Sequence, residues 1–179
     1  VQVRQRFSDD HLTAEEIPVV VAEQLQRPAI AERIQPGMRV CITCGSRGIQ
    51  NLPILVRSVV DFCRSRQAEP FVTPAMGSHG GGTVEGNLEI LSGYGITEEN
   101  VGVPVMASMD VVKIGQLEDG ETPVYCDRFA AEADGIVVYN KVKPHTDFKG
   151  EHESGLLKMM AIGLAKHKGC SALHRRGFD

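Results

Sequence analysis

Three side chains suited to chemistry follow runs of apolar residues that are typical of strands. Arg47 lies between two glycines, His79 lies in a glycine-rich loop, and His145 follows an apolar segment. Imidazole exchanges protons near neutral pH, and the guanidinium fork binds both oxygens of a carboxylate or phosphate. Because the carboxyl ends of parallel strands meet at one edge of a sheet, these side chains are expected to lie close together there. The pattern predicts an anion-binding site with acid–base groups.

A lysine in an apolar setting is the fourth candidate. Lys158 is predicted to lie one turn into a helix over 155–167 that Ser154 would cap, with Leu157 before it and Met159 after it. Loss of water around an amine lowers its pKa and makes it usable as a nucleophile or attachment point. The alternative is that the long side chain bends past its apolar neighbours into water. The expected convergence with the other candidates favours the reactive amine.

The loop at 77–83 is rich in glycine and leads into a predicted helix over 84–91, which Thr83 can cap. Glycine-rich loops that open helices bind anions through backbone amides, so a phosphate could lie here. No lysine follows the glycines, so the loop does not match the nucleotide-binding P-loop. With glycines around it, His79 has few neighbours to pack against. This favours a catalytic or ligand role over a buried structural one.

The predicted elements repeat the order strand, loop and helix. This order predicts an α/β fold, with a mostly parallel sheet, helices on both faces and a small β-hairpin. A capping box at Thr13 and Glu16 starts the first helix. Cys41 and Cys44 fall on a strand, so their C-x-x-C spacing indicates core thiols rather than a zinc site. The predicted strands cover 38–43, 70–73, 103–106, 111–117, 123–126 and 135–139. The first helix runs from its capping box through Leu25, and further helices cover 52–66 and 127–133.

Composition limits the class of protein. The 179 residues are 42% hydrophobic and 23% charged with a net charge of −4, which suits one globular domain. No basic stripe or aromatic cluster argues for nucleic acid, and no apolar run approaches the roughly 20 residues of a membrane-spanning helix. The N-terminus lacks the plan of a signal peptide, and five cysteines suit reduced thiols in a cytoplasm. The chain stops just after a predicted helix, so a longer protein or a partner is expected to complete the site.

Five ordered motifs resemble the lactate racemase family of nickel-pincer enzymes. They are GSRG at 45–48, AMGSH at 75–79, KPH at 143–145, KMMAIG at 158–163, and His174. The resemblance implies racemisation or epimerisation of a small 2-hydroxy acid by reversible hydride transfer to a nickel-pincer nucleotide. It also implies that residues 1–179 are the single cofactor-anchoring N-terminal domain of a longer two-domain protein, inactive without its C-terminal domain.

The resemblance further implies a role for each candidate residue. His79 and His145 would be the two acid/bases, and Arg47 would bind the substrate carboxylate. Lys158 would covalently anchor nickel pyridinium-3,5-bisthiocarboxylic acid mononucleotide, and His174 would ligate the nickel. The cofactor phosphate would lie on the amides of the glycine loop, at Gly80, Gly81, Gly82 and Thr83.

Two departures from the family pattern concern the substrate. Cys44 stands where members that act on lactate tend to have an aspartate, and the spacing from His145 to Lys158 is longer than in those enzymes. Lactate is therefore one candidate among 2-hydroxy acids.

Two other functions stay open from the residues alone. One is a phosphate- or nucleotide-binding module that uses the loop at 77–83 without redox chemistry. The other is a metal-dependent hydrolase built on His79, His145 and His174. Lys158 separates them, because only the racemase requires a covalent adduct on that side chain.

Overall fold

The computed structural model describes residues 11–143 and 153–176, which form a three-stranded parallel sheet, a two-stranded hairpin and surrounding helices. Strand β1 (Arg39–Cys44) lies between β2 (Glu69–Pro74) and the strand Gly135–Val137. The chain from Val40 to Cys44 is buried throughout, as expected of a central strand that is covered on both faces. The predicted α/β class and parallel sheet are confirmed.

The described residues also contain eight short to medium α-helices, a 3-10 turn and a π-helical turn. None of these helices is both long and apolar enough to cross a lipid bilayer. The hairpin consists of β3 (Val111–Gln116) and β4 (Pro123–Asp127), close to the predicted bounds, and Gly135–Val137 is β5. The helices are α1 (Glu16–Leu25), α2 (Pro28–Ala31), α3 (Leu52–Ser65), α4 (Val84–Gly93), α5 (Glu98–Val101), α6 (Arg128–Ala131), α7 (Leu156–Lys158) and α8 (Lys166–Arg176).

The two faces of the sheet carry separate apolar cores. Val40 and Ile42 point to the face covered by α3, where Val56 and Val60 are fully buried. Cys41 points to the opposite face, where a second core contains residues of α6 and of the segment after α7. Since successive residues of a strand alternate between faces, one strand serves both cores. Helices on both faces were predicted and are confirmed.

Two helix starts follow the predicted local chemistry. Thr13 N–H donates to Glu16 Oε2 at 2.8 Å, and Glu16 N–H donates back to Thr13 Oγ1 at 3.3 Å, which completes the capping box ahead of α1. At α4, Gly86 N–H donates to Thr83 Oγ1 at 3.1 Å. Both caps join residues three apart in sequence, so the local pattern was enough to find them.

A threonine side chain holds the chain beside β1 after β5 has ended. Thr43 and Thr73 are register partners on β1 and β2. Tyr139 N–H donates to Thr43 Oγ1 at 3.0 Å, so the chain stays beside β1 although β5 ends at Val137 and not at 139 as predicted.

The prediction of a strand at 103–106 is wrong. Among the described residues, this segment forms a single parallel bridge between Val105 and Val72. Beyond the bridge, the Met106 carbonyl accepts a hydrogen bond from the Thr73 hydroxyl at 2.7 Å, where a continuing strand would use a backbone amide.

The single helix predicted over 155–167 is also wrong. The chain forms α7, then a π-helical turn at Met159–Gly163, then α8. A Cβ at Gly163 would lie 2.7 Å from the carbonyl oxygen of Ala75, so glycine allows this turn to press against the end of β2. The predicted cap differs as well, because Gly155 and not Ser154 precedes α7. The distorted turn packs against the end of the sheet, and helical periodicity in the sequence cannot reveal such a contact.

Candidate active site

A cavity of about 150 Å³ lies at the carboxyl ends of the three parallel strands. This is the edge at which open α/β sheets build their binding sites. The lining comes from the segments after β1, β2 and β5 and from α7 with the π-helical turn. Its described residues are Gly45, Ser46, Arg47, Ala75, Met76, His79, Asn140, Lys141, Lys143, Ser154, Lys158, Met159, Ile162 and Gly163.

The predicted site residues fall into three groups. Arg47, His79 and Lys158 line the cavity together, although they come from three separate segments of the chain. His174 is exposed on α8 and is not among the described lining residues. His145 lies outside the described residues. The expected convergence at one sheet edge therefore holds for an arginine, a histidine and a lysine, and the roles assigned to them stay predictions.

His79 is held at both its ring and its backbone. A hydrogen bond joins its ring Nδ1 to Ser46 Oγ, and its backbone N–H donates to the Met76 carbonyl at 3.1 Å. Asn87, only 1% exposed, donates from Nδ2 to the His79 carbonyl at 3.2 Å and to the Thr83 carbonyl at 2.8 Å. These bonds fix the ring at the cavity rather than leaving it loose in a glycine-rich loop.

The electrostatic setting of His79 favours its neutral form. Burial lowers the pKa of His79 below its ordinary value of 6.5, and the positive charges of Arg47 and Lys158 lower it further. A histidine that is neutral near pH 7 is ready to accept a proton, which suits a general base.

Lys158 is partly buried and has cationic neighbours. Burial lowers the pKa of its amine, and the positive charges of Lys143 and Arg47 lower it further, while Cys170 opposes them. The lowered pKa increases the fraction of neutral amine, the form that attacks an acyl group. This setting supports the reactive amine over the alternative of a side chain extended into water.

The cavity has a strongly positive lining. Arg47, Lys141, Lys143 and Lys158 all contribute to it, and the described lining contains no aspartate or glutamate. Such a surface raises the local concentration of anions and favours ligands that carry carboxylate or phosphate groups.

Glycines bring the lysine-bearing segment against the strand ends. A Cβ at Gly45 would lie 2.9 Å from Met159 Cε, and Gly77 N–H donates to the Gly163 carbonyl at 3.2 Å. Lys158 immediately precedes the π-helical turn that makes these contacts. Such turns are frequent at functional sites, because they shift the direction of the side chains around them.

Some backbone amides of the glycine loop already donate to carbonyl groups within the loop. Gly82 N–H donates to the His79 carbonyl at 3.2 Å, and Thr83 N–H donates to the Gly80 carbonyl at 3.3 Å. A Cβ at Gly80 would lie 2.7 Å from the Gly86 carbonyl carbon, so close packing against α4 already requires glycine there. The phosphate role of Gly80, Gly81, Gly82 and Thr83 stays a prediction, and these bonds leave fewer amides for it.

Sequence reasoning missed a buried ion pair beneath the site. Lys166 and Asp127 have no exposed side-chain surface, and Lys166 Nζ lies 3.1 Å from Asp127 Oδ2. Asp127 also caps α6, because its Oδ1 accepts a hydrogen bond from Ala130 N–H at 2.9 Å. Its lysine partner stands in the polar run KHK, which is typical of a solvated helix face, so no local signal marked it.

The described residues do not form a metal site by themselves. Among the residues described, no three His, Cys, Asp or Glu side chains come together in a way that could hold an ion. The hydrolase built on His79, His145 and His174 gains no support, since His79 lines the cavity and His174 is not in its described lining.

Comparison with protein families gives a match over the whole chain. The family model of the lactate racemase N-terminal domain matches residues 1–179. Comparison with curated proteins gives no match. The cavity at the strand ends, with Arg47, His79 and Lys158 on its walls, falls within the matched region. The chain belongs to the lactate racemase N-terminal domain family.

Proposed function

We propose that this protein racemises or epimerises a small 2-hydroxy acid with a nickel-pincer nucleotide attached at Lys158. The observation that carries the proposal is the meeting of Arg47, His79 and Lys158 around one cavity in a chain of this family. Lys158 would hold nickel pyridinium-3,5-bisthiocarboxylic acid mononucleotide, which would supply reversible hydride acceptance from the carbon that carries the substrate hydroxyl.

The residues of the chain would bind the substrate and move its proton. The Arg47 guanidinium offers two parallel N–H donors to the substrate carboxylate. His79 takes the proton of the substrate hydroxyl, which its neutral form can do because burial and two cations lower its pKa. A flat 2-keto acid results. Its other face is served by a second acid/base, for which His145 is the proposed residue and which the motif KPH supplies.

The residues present fit the cofactor in two respects. A covalent anchor needs a neutral amine, and burial with neighbouring cations lowers the pKa of Lys158 in that direction. The phosphate and acidic groups of the nucleotide suit a lining that contains Arg47, Lys141 and Lys143. His174 as the nickel ligand rests on the family motif alone.

We also propose that a C-terminal domain completes the site and that the protein works in the cytoplasm. Sites that enclose a ligand of this size measure roughly 300–1,000 Å³, whereas the described cavity measures about 150 Å³. We expect the C-terminal domain to supply the remaining room and walls, and this domain alone to be inactive. The five cysteines are all free and buried, which suits a reducing compartment.

Intact-mass spectrometry tests the proposal. The protein is produced in cells that synthesise the pincer cofactor, beside Lys158→Ala and the matched control Lys168→Ala, whose side chain stacks on Tyr125 away from the cavity. The expected result is an added mass and bound nickel in the unaltered protein and the control, and neither in Lys158→Ala. An unmodified mass without nickel, in cells where cofactor synthesis is verified, contradicts the proposal.

A further inference from the structure

His79 has a hydroxyl partner rather than a carboxylate. Its Nδ1 is hydrogen-bonded to Ser46 Oγ, and both residues line the cavity. The bond engages one ring nitrogen and leaves Nε2 as the nitrogen available for proton exchange. We propose that Ser46 is a positioning residue that fixes the His79 ring and makes Nε2 the atom that exchanges protons with the ligand, an inference that rests on the proposed function.

The backbones of both partners are anchored, so the bond is built into the fold. The Tyr94 hydroxyl donates to the Ser46 carbonyl at 3.1 Å, and Asn87 donates to the His79 carbonyl at 3.2 Å. Gly45, just before Ser46, packs so closely on Met159 that a Cβ there would lie 2.9 Å from Cε. Ser46 therefore cannot move away from the ring without disturbing the Tyr94 bond and the packing of Gly45 on Met159.

A hydroxyl suits a histidine that must act in both directions of a reversible reaction. When Nδ1 carries its hydrogen, it donates to Ser46 Oγ, and Nε2 keeps a lone pair for the substrate proton. After Nε2 has taken that proton, both ring nitrogens carry hydrogen, so Nδ1 still donates to Ser46 Oγ while Nε2 can return the proton. A carboxylate could only accept, and its charge would favour the protonated ring.

Among the described residues that line the cavity, no side chain carries a negative charge to pair with the protonated ring. The described titratable side chains that line the cavity with His79 are Arg47, Lys141, Lys143 and Lys158, all of them cationic. A neutral partner on Nδ1 therefore preserves the neutral imidazole that these cations favour. Ser46 controls which nitrogen faces the ligand, while the cations control how readily that nitrogen is protonated.

Nitrogen NMR of the imidazole tests the assignment without any cofactor. The spectra of the unaltered protein, Ser46→Ala and Ser46→Thr are compared, with His79→Gln to assign the signal. Ser78→Ala is the matched control, because Ser78 is the exposed neighbour of His79 and its Oγ lies 4.0 Å from Cys170 Sγ. We expect one dominant hydrogen-bonded tautomer in the unaltered protein, Ser46→Thr and Ser78→Ala, and a mixture of tautomers in Ser46→Ala.

Activity of the cofactor-loaded enzyme, with its proposed C-terminal domain present, provides the second measurement. Ser46→Ala is expected to lower kcat about tenfold to a hundredfold with little change in KM, the usual cost of losing a group that orients a functional histidine, and Ser46→Thr to restore most of it. The same tautomer in Ser46→Ala and the unaltered protein overturns the assignment. If Ser46→Ala does not fold, Ser46→Cys is judged by the same criterion. Because the NMR reading needs no adduct at Lys158, failure of the assignment is distinguishable from failure of the proposed function.

Discussion

Lys166 and Asp127 form an ion pair with no exposure to solvent, and this pair joins three parts of the fold. Lys166 Nζ lies 3.1 Å from Asp127 Oδ2 and also donates to the Pro74 carbonyl at the end of β2. Asp127 N–H donates to the Leu164 carbonyl at 2.6 Å. The end of β2, the start of α6 and the chain after Lys158 are therefore tied at one point beneath the cavity.

Removing the lysine is expected to leave a buried charge without compensation. Lys166→Met should lower the free energy of unfolding by about 3–5 kcal/mol, because Asp127 then lacks its counter-charge in the interior. Urea denaturation measures the effect. Adding Asp127→Asn should recover part of the loss, since a neutral amide needs no counter-charge. Lys168→Met is the control, on the same helix with an exposed side chain, and a loss below about 1 kcal/mol for Lys166→Met would contradict the prediction.

The π-helical turn depends on a glycine at its end. Gly163→Ala places a Cβ 2.7 Å from the Ala75 carbonyl oxygen and 2.9 Å from Met159 Sδ, so the turn must shift. We expect a loss of about 1–3 kcal/mol by urea denaturation, together with less adduct on Lys158, because that residue moves with the turn. Gly93→Ala is the matched control. No atom lies within 4 Å of a Cβ there, and its helical setting predicts equal or greater stability. Equal stability of the two variants would argue against the strained contact.

The pH dependence of stability should report His79. Its pKa in the folded protein lies below the ordinary 6.5, because of burial and the charges of Arg47 and Lys158. As pH falls through 6.5 the unfolded chain therefore takes up this proton first, and the free energy of unfolding decreases. His79→Gln removes this contribution, so its stability should fall less between pH 7.5 and 5.5. Parallel curves for the two proteins in urea titrations would contradict the expected direction.

Amine labelling should single out Lys158. Burial, Lys143 and Arg47 lower its pKa, so an acylating reagent should modify Lys158 at lower pH than it would an ordinary lysine. Arg47→Gln removes one neighbouring positive charge and should raise the pKa, which shifts labelling to higher pH. Peptide mass spectrometry measures both, with Lys113 of the exposed hairpin as the internal reference. Identical labelling profiles before and after the Arg47 change would show that the guanidinium does not act on the amine.

Local chemistry made much of the fold predictable. The β-branched runs of β1 and β2 and the caps at Thr13 and Thr83 depend on neighbours in sequence, and they lie where the patterns indicated. The meeting of the candidate side chains was predictable as well, because parallel strands present their ends at one edge. The arginine, the first histidine and the lysine are found there together.

Contacts between distant segments account for the errors. Gly163, at the end of the π-helical turn, packs against the Ala75 carbonyl, and the partner of Lys166 is Asp127, far back in the chain. Neither has a signature in a window of neighbouring residues. Ser46 and Asn87 were missed for the same reason, since only the fold brings them to His79.

Cys44, at the end of β1, has a consequence for a site proposed to handle nickel and activated acyl groups. The side chain is fully buried, and burial raises the pKa of its thiol to about 12. A cysteine binds metals and attacks acyl carbon as the thiolate, and at neutral pH little of the Cys44 thiol is in that form. Cys44 can therefore lie one residue from the cavity wall without its sulfur binding the nickel. For the same reason it does not compete with the Lys158 amine for an acyl group.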